Sequence, residues 1–370
     1  MVGGGPGSFI GPVHRMAAEL DRRFALVAGS FSSDLSKTRA GAAAYGVTSE
    51  RAYAGYREMF AAERARTDGI EAVAIVTPNH LHLPIAVAAL ESGLHVLSDK
   101  PATATLAEAL TLRDVVRRSS GLYGLTYTYT GYPMIREARR RVARGDVGRV
   151  RKAIVDYPQG WLSSPIERQG NKQAEWRVDP ARSGLGGCIG DIGVHAFNLA
   201  EYVSGARVRT LLADLSSVVP HRVLDDDCNV LLRFDGGQPG VLTASQISTG
   251  ERNGLTLRIY GETGGLHWSH ADPTVLTLNY SDDRSEILHA SSAQFGAAAR
   301  LPTGHPQGFI EAFANIYSDF ADAVLGARDL IGTVIPDIEA GVRSMRFVER
   351  AIESSRAGGR WLGLEDEVTA

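Results

Sequence analysis

The sequence predicts two domains of different class. Residues 1–128 read as an α/β domain. Residues 129–370 read as an α+β domain, a large, mostly antiparallel sheet covered by helices on one face. Three observations lead there. At 370 residues the chain is too long for one ordinary core. The buried run Ala72-Val-Ala-Ile-Val76, an amphipathic stretch from Leu83 to Leu90 closed by Gly93, and a second buried run His95-Val-Leu-Ser98 form a strand–helix–strand unit, which belongs in a parallel sheet. Beyond Tyr129, strand-like alternation recurs without intervening helices, the pattern of an antiparallel sheet.

Composition excludes several classes of function. A hydrophobic content of 44% and a charged content of 22% are those of a soluble globular protein. A net charge of −3 with no polybasic run argues against nucleic acid or an anionic membrane as partner. No apolar stretch approaches the ~20 residues that cross a bilayer. The start has neither the basic nor the apolar region of a signal peptide. Only Cys188 and Cys228 are present, without metal spacing, which points to a reducing cytoplasm, no disulfide framework and no metal site.

In chain order, Gly3-Gly-Gly-Pro-Gly-Ser-Phe-Ile-Gly11 opens the sequence and runs into a helical pattern through Val13, Met16, Ala17 and Leu20. A glycine-rich turn before a helix lets main-chain N–H groups approach a pyrophosphate. Gly3, Gly5 and Gly7, with Ser8, Phe9 and Ile10, are the candidate pyrophosphate cradle; Ser8 stands where a third glycine would be. Only Met1-Val2 precede the loop, so either the natural start lies upstream or the first strand is stunted. Residues 24–28 read as the second strand, followed by a helix capped by Ser33 or Asp34. The position that discriminates the adenosine ribose falls at Ser32, beside Ser33, where no carboxylate stands. With Lys37 and Arg39 one turn on, this favours NADP over NAD; the plain alternative is that both cations lie on a solvated face.

Residues 53–66 read as a helix, Asp68-Gly69 as a turn, Thr105 to Glu108 as a capping box for a helix through Arg118, and residues 122–127 as the last strand of this half. His80 and His82 alternate after Asn79 without the carboxylates or thiols of a metal site. In the second half the strands fall at 151–157, 210–215, 230–234, 240–245, 255–260, 265–268 and 275–278. Asp225-Asp-Asp227 reads as a solvated strand entry. Residues 309–325 and 339–355 read as amphipathic helices packing on one face of that sheet. Residues 161–187, long and carrying Trp161 and Trp176, read as an aromatic lid over a ligand or as a segment buried against the domain neck.

Two places carry chemistry. Lys100 follows Asp99 at the carboxyl end of a strand and is fixed by Pro101, the edge at which open α/β sheets bind ligands. Gly186-Gly-Cys-Ile-Gly-Asp-Ile-Gly-Val-His195 places Asp191 and His195 at i and i+4 of a helix, one turn apart on one face. Histidine suits proton transfer near neutrality, whereas the plain alternative is a buried histidine beside a carboxylate.

These stretches, together with Thr77-Pro-Asn-His-Leu-His82 and Tyr260-Gly-Glu-Thr-Gly-Gly-Leu, stand in an order that resembles the glucose–fructose oxidoreductase / inositol dehydrogenase (Gfo/Idh/MocA) family over nearly the whole chain. Asp99 stands where glutamate is usual in that family. The resemblance implies an N-terminal Rossmann domain and an NAD(P)-dependent oxidoreductase moving a hydride between nicotinamide and a secondary hydroxyl or ketone of a sugar, glycoside or cyclitol. It implies that Lys100 hydrogen-bonds the reacting hydroxyl, that His195 is the general base and that Asp191 holds substrate and orients the pair. It places Thr77, Pro78, Asn79, His82, Asp99 and Lys100 beside the cofactor, and Tyr129 as a roof over nicotinamide or substrate. Trp161, Trp176, Arg177 and His305 are candidates for the substrate side, Arg177 hinting at an acidic sugar. Competing readings are an NAD-dependent glycoside hydrolase acting through transient oxidation and a non-catalytic dinucleotide-dependent regulator. The resemblance also implies a homodimer or homotetramer pairing through the C-terminal sheet, its strands over residues 255–268 serving as the contact.

Overall fold

The structure, a computed structural model, describes residues 1–365. The chain divides into two compact units: Met1–Thr128 with Phe309–Val342, and Tyr129–Gly308 with the chain from Arg343 on. No helix among the described residues is long and apolar enough to cross a membrane.

The first unit holds a four-stranded parallel sheet, β1 (Val2–Gly3), β2 (Ala72–Val76), β3 (His95–Ser98) and β4 (Tyr123–Leu125), in that spatial order. Its helices are α1 (Ile10–Leu20), α2 (Leu35–Tyr45), α3 (Tyr56–Arg64), α4 (His82–Glu91) and α5 (Leu106–Arg118). The strands are apolar because covering helices leave them little solvent. The α5 capping box forms as read: Thr105 Oγ1 accepts the Glu108 N–H at 3.2 Å, while Glu108 reaches back to the Ala104 N–H at 3.0 Å. Registers Gly3↔Val76, Ile75↔Ser98 and Ser98↔Leu125 bring the glycine loop, Thr77 and Asp99-Lys100 to one edge of this sheet.

Residues 24–28 do not form the predicted second strand. Pairing is confined to isolated bridges, Val2 to Ser30 and Gly29 to Ala52, because β1 offers only two residues to pair with. The apolar character of the segment has another cause: Phe24 packs edge-on against Tyr317 and stacks near Phe320.

The second unit is built on a nine-stranded sheet ordered β12-β11-β10-β9-β5-β8-β7-β6-β13. The strands are β5 (Val150–Pro158), β6 (Val208–Ser216), β7 (Asp227–Phe234), β8 (Pro239–Ser245), β9 (Thr256–Gly261), β10 (Gly264–Ser269), β11 (Asp272–Tyr280), β12 (Ser285–His289) and β13 (Leu362–Gly363). All neighbours are antiparallel except β5 and β8, which pair in parallel at the centre. One face is buried at alternate positions, as in β7, where Cys228, Val230, Leu232 and Phe234 point inward. The unit's helices are α6 (Pro133–Ala143), α7 (Lys172–Arg177), α8 (Pro180–Ser183), α9 (Val194–Ser204) and the single turn α10 (Ser292–Phe295).

The two long helices near the end of the chain, α11 (Phe309–Val324) and α12 (Ile338–Arg356), correct the prediction that both pack on this sheet. Helix α11 belongs to the first unit, where Phe313, Ile316, Tyr317 and Phe320 share one core with Val13, Ala17, Leu97 and Leu122. Amphipathic spacing shows that one face is buried, not against what. The later part of α12 stays with the second unit: Phe347 stacks on Phe197 at 4.3 Å, and Ser354 Oγ accepts the Ala213 N–H at 2.9 Å.

Two further expectations change. Asp225-Asp-Asp227 is not a solvated entry. Asp226 is buried and accepts the N–H groups of Val218 and Val219, while Asp225 accepts those of Gly187 and Ile189, both at 2.7 Å. Residues 161–187 are not one long loop, since they contain a 3₁₀ turn, α7 and α8. Arg222 clamps their first part through the Leu162 and Ser164 carbonyls and the Glu167 carboxylate.

Candidate active site

In the first unit, the glycine loop is shaped by contacts that no side chain could share. Gly3, Gly4 and Gly7 have positive φ. A Cβ on Gly3 would lie 2.6 Å from the Val76 carbonyl oxygen, and one on Gly5 would lie 2.5 Å from that of Phe31. The third close approach belongs to Gly11, which sequence spacing missed. A Cβ there would sit 2.5 Å from Gly4 Cα and 2.6 Å from Gly4 O. Ser8 does a different job, its Oγ accepting the Gly11 N–H at 3.2 Å and capping α1. Phe9 is exposed and Ile10 packs beneath the loop. The result is a cradle of bare backbone at a helix start, which fits a pyrophosphate.

Ser32 Oγ accepts the Asp34 N–H, and Asp34 is the α2 cap, accepting the N–H groups of Ser36 and Lys37 and the Ser36 hydroxyl. These bonds, the Ser36 hydroxyl foremost, hold the Asp34 carboxyl below its ordinary range, and it remains exposed and charged. Ser33 and Lys37 are also exposed. Spacing had pointed to Ser32; the carboxylate stands two residues further on.

At the carboxyl edge, His82 is buried with Nδ1 2.8 Å from the Pro101 carbonyl and Nε2 2.9 Å from that of Thr77. Both ring nitrogens face main-chain carbonyls, and the single N–H of the neutral ring donates to one of them, so His82 braces the loops after β2 and β3. Burial lowers its pKa. Thr77 Oγ1 is buried with no hydrogen-bond partner among the described residues, an orphan that a cofactor amide would satisfy. Pro78 leads the turn and Asn79 is buried. Asp99 Oδ1 accepts the Lys100 N–H at 2.9 Å and the Thr126 hydroxyl at 3.0 Å, and its Oδ2 lies 4.0 Å from Nε2 of the buried His14. Asp99 thus holds the backbone from which the half-buried Lys100 projects.

In the second unit, the glycine-rich stretch ahead of His195 forms a π turn, Ile189–Gly193, rather than the predicted regular helix; α9 begins after it. Such turns frequently mark functional sites. Asp225 pins its start, and a Cβ on Gly187 would lie 2.1 Å from the Asp225 carbonyl oxygen. Burial pushes the Asp225 carboxyl up to about 6. Asp191 Oδ2 accepts Arg177 Nε–H at 3.1 Å and Gln246 Nε2–H at 2.9 Å. The Arg177 guanidinium lies 4.3 Å over the Trp176 ring and 5.7 Å over that of Trp161.

His195 meets the Tyr129 ring edge to face at 5.0 Å and that of Tyr157 at 6.4 Å. The Tyr129 and Tyr157 hydroxyls bond each other; Tyr157 donates to Asn253 Oδ1 at 2.7 Å, and Asn253 Nδ2 donates to Tyr129 Oη at 3.1 Å, closing a ring. Gln159 Nε2 adds a second bond to Asn253 Oδ1. Burial pushes the Tyr129 hydroxyl up to about 12, so it stays protonated. Tyr157, Asn253, Gln159 and Gln246 carry no motif, and only the fold collects them here. His305 is not collected: it is exposed, its Nδ1 3.2 Å from the Pro302 carbonyl.

Comparison with known proteins agrees with this architecture. Residues 1–127 match the oxidoreductase family with an NAD-binding Rossmann fold, and residues 135–267 match the GFO/IDH/MocA C-terminal domain. An oxidoreductase of Sinorhizobium meliloti is 43% identical over 98% of each chain, with a TM-score of 0.88. An inositol dehydrogenase homolog from Azotobacter vinelandii, solved with NAD+, is 37% identical over 98% of this chain and 96% of its own, with a TM-score of 0.92. The uncharacterized oxidoreductase YfiI of Bacillus subtilis is 33% identical over 98% of this chain and 95% of its own. With a glycine cradle, a lysine at the sheet edge and an aspartate–histidine turn all in place, the chain belongs to the GFO/IDH/MocA family and is an NAD-binding oxidoreductase.

Proposed function

We propose that this oxidoreductase dehydrogenates a secondary hydroxyl of an uncharged sugar or cyclitol, with Lys100, Asp191 and His195 managing the proton. The observation that carries the reading is Asp191, a carboxylate fixed by a guanidinium and an amide, four residues ahead of His195. Lys100 donates a hydrogen bond to the reacting oxygen and favours its alkoxide character. His195 takes the hydroxyl proton on a ring nitrogen, and Asp191 accepts a substrate hydroxyl and sets the imidazole's orientation. Proton transfer by a placed base contributes about 10²–10⁴ in rate. A bound nicotinamide dinucleotide supplies the hydride chemistry, and Gly3, Gly5, Gly7, Gly11, Thr77 and Asn79 are the residues that would hold it. Around Asp191 and His195 the second unit offers neutral amides, hydroxyls and indoles, a lining suited to a polyol. Trp161, Trp176 and Tyr129 take apolar, ring-facing roles.

NAD is the coenzyme we favour, against the expectation from Ser32 and Lys37. The ionised Asp34 suits a ribose 2′-hydroxyl and repels a 2′-phosphate, and the Azotobacter relative binds NAD+. Cys188 and Cys228 are free and buried, which suits a reducing compartment, so we place the protein in the cytoplasm.

The test is a screen of neutral sugars and cyclitols with NAD and NADP, followed at the nicotinamide absorbance. Lasting reduction of NAD is expected, whereas a glycosidase acting through transient oxidation would release sugar without it. Lys100→Met, Asp191→Asn and His195→Asn are each expected to lower kcat by about 10²–10⁴ while the NAD dissociation constant stays within about threefold. Full activity in the Lys100 or His195 variant overturns the assignment.

A further inference from the structure

Arg177 is held by its own unit through Nε, Nη1 and the plane of its guanidinium. Nη1 donates to the Gln173 carbonyl and to Gln173 Oε1, both at 3.0 Å, and the guanidinium plane is faced by Trp176 and Trp161. Those contacts leave Nε–H aimed at Asp191 Oδ2, the oxygen that also receives Gln246 Nε2–H. Gln246 is buried, and its main-chain N–H is held by the Asp226 carbonyl at 2.9 Å, so the second donor is fixed as firmly as the first. Exposed ion pairs contribute little because two long side chains must be ordered for a screened attraction. Here the ordering is done by the indoles and Gln173, and only 22% of the Arg177 and 18% of the Asp191 side-chain surface meets solvent.

We propose that Arg177 is a positioning residue of the reaction, acting through Asp191, and not the anchor of an acidic substrate. The inference rests on the reading of Asp191 and His195 as the proton-handling pair. Two donors on one oxygen set the plane of the Asp191 carboxylate. The cation is thereby neutralised within the unit. With a carboxylate already on its Nε–H, Arg177 offers a substrate carboxylate little net charge, which favours uncharged polyols. The helical insertion that carries Arg177 is consequently part of the catalytic apparatus and not a passive cover.

The experiment uses the full chain with NAD and the best neutral polyol from the screen, comparing Arg177→Ala, Arg177→Lys and Asp191→Asn. Arg177→Ala is expected to lose about 10- to 100-fold in kcat, the scale seen when a partner orienting an active group is removed. KM and the NAD dissociation constant should each stay within about threefold. Added guanidinium ion at tens of millimolar should restore part of the Arg177→Ala rate while leaving the wild type unaffected, because an ion of the same shape can refill the vacated place. Arg177→Lys should retain an intermediate rate. A loss rescued by neither guanidinium nor lysine marks a merely structural role and overturns the proposal. So does unchanged kcat, or a KM increase confined to acidic sugars. Should Arg177→Ala fail to fold, the rate and KM of Arg177→Lys decide by the same criteria. If Asp191→Asn keeps full rate, the underlying reading fails irrespective of Arg177.

Discussion

His14 sits wholly inside the first unit, between the Tyr317 hydroxyl, 2.8 Å from Nδ1, and the Asp99 carboxylate, with Phe313 against its ring at 4.8 Å. Burial depresses its pKa to about 4, and nearby Asp99 offsets only part of that. The folded protein therefore keeps His14 neutral through a range in which the unfolded chain takes up a proton, starting near its ordinary value of about 6.5. Stability then falls as pH falls from about 6.5 to about 4, because the unfolded state binds more protons there. For one such histidine the loss at pH 5 is about 2 kcal/mol. His14→Gln is expected to remove this part of the acid sensitivity. Denaturant titrations at pH 7.5 and pH 5 check it, and equal acid sensitivity in both proteins would show the attribution to be wrong. His82, also buried with a lowered pKa, acts in the same direction, so the variant's acid limb should flatten without vanishing. Lys100, Asp191 and His195 were legible at this scale because they occupy short fixed motifs. His14, Gln246 and Asn253 were not, since their importance comes from partners 85, 55 and 124 residues away.

At the scale of elements, the glycine loop and α1 depend on one close approach between backbones. Gly11→Ala places a methyl group within 2.6 Å of Gly4 main-chain atoms, which cannot rotate away. Overpacking of this kind costs about 1–3 kcal/mol, and here it also pushes the helix start off the pyrophosphate cradle. We expect a lower melting temperature and at least about tenfold weaker NAD binding. Gly55→Ala is the control, since a Cβ at Gly55 meets nothing within 4 Å. Unchanged NAD affinity in Gly11→Ala would remove the loop from the cofactor site. Sequence spacing located the loop and its helix but put the third close approach at Ser8, because counting residues takes no account of the detour through Pro6 and Gly7. The π turn escaped for a related reason: side-chain periodicity does not separate one wide turn from a regular one.

For the molecule as a whole, the question is what covers the open face of the nine-stranded sheet. Its registers align Leu212, Leu231, Val241, Ile154, Arg258 and His267 across consecutive strands on that face, in the order β6, β7, β8, β5, β9, β10. Leu231, Tyr260 and Ile287 are among the exposed large apolar residues. We propose that a second copy of the chain covers this face, giving a homodimer or homotetramer. Light scattering is expected to show the oligomer for the wild type and a smaller species for a Leu231→Glu, Ile154→Glu double variant. A wild-type monomer would overturn the proposal.

By itself the sequence determined the class of both units, the strand–helix–strand core around Lys100, and the glycine-rich approach to Asp191 and His195. These are local: periodicity, turn chemistry and motif spacing act over a few residues, and burial then amplifies them. Tertiary structure alone decided that α11 completes the first unit's core, that Asp225 and Asp226 are buried braces, and that Arg177 is engaged by Asp191. Each of those outcomes depends on which distant segment comes to lie alongside, a choice governed by packing and by partnering buried polar groups.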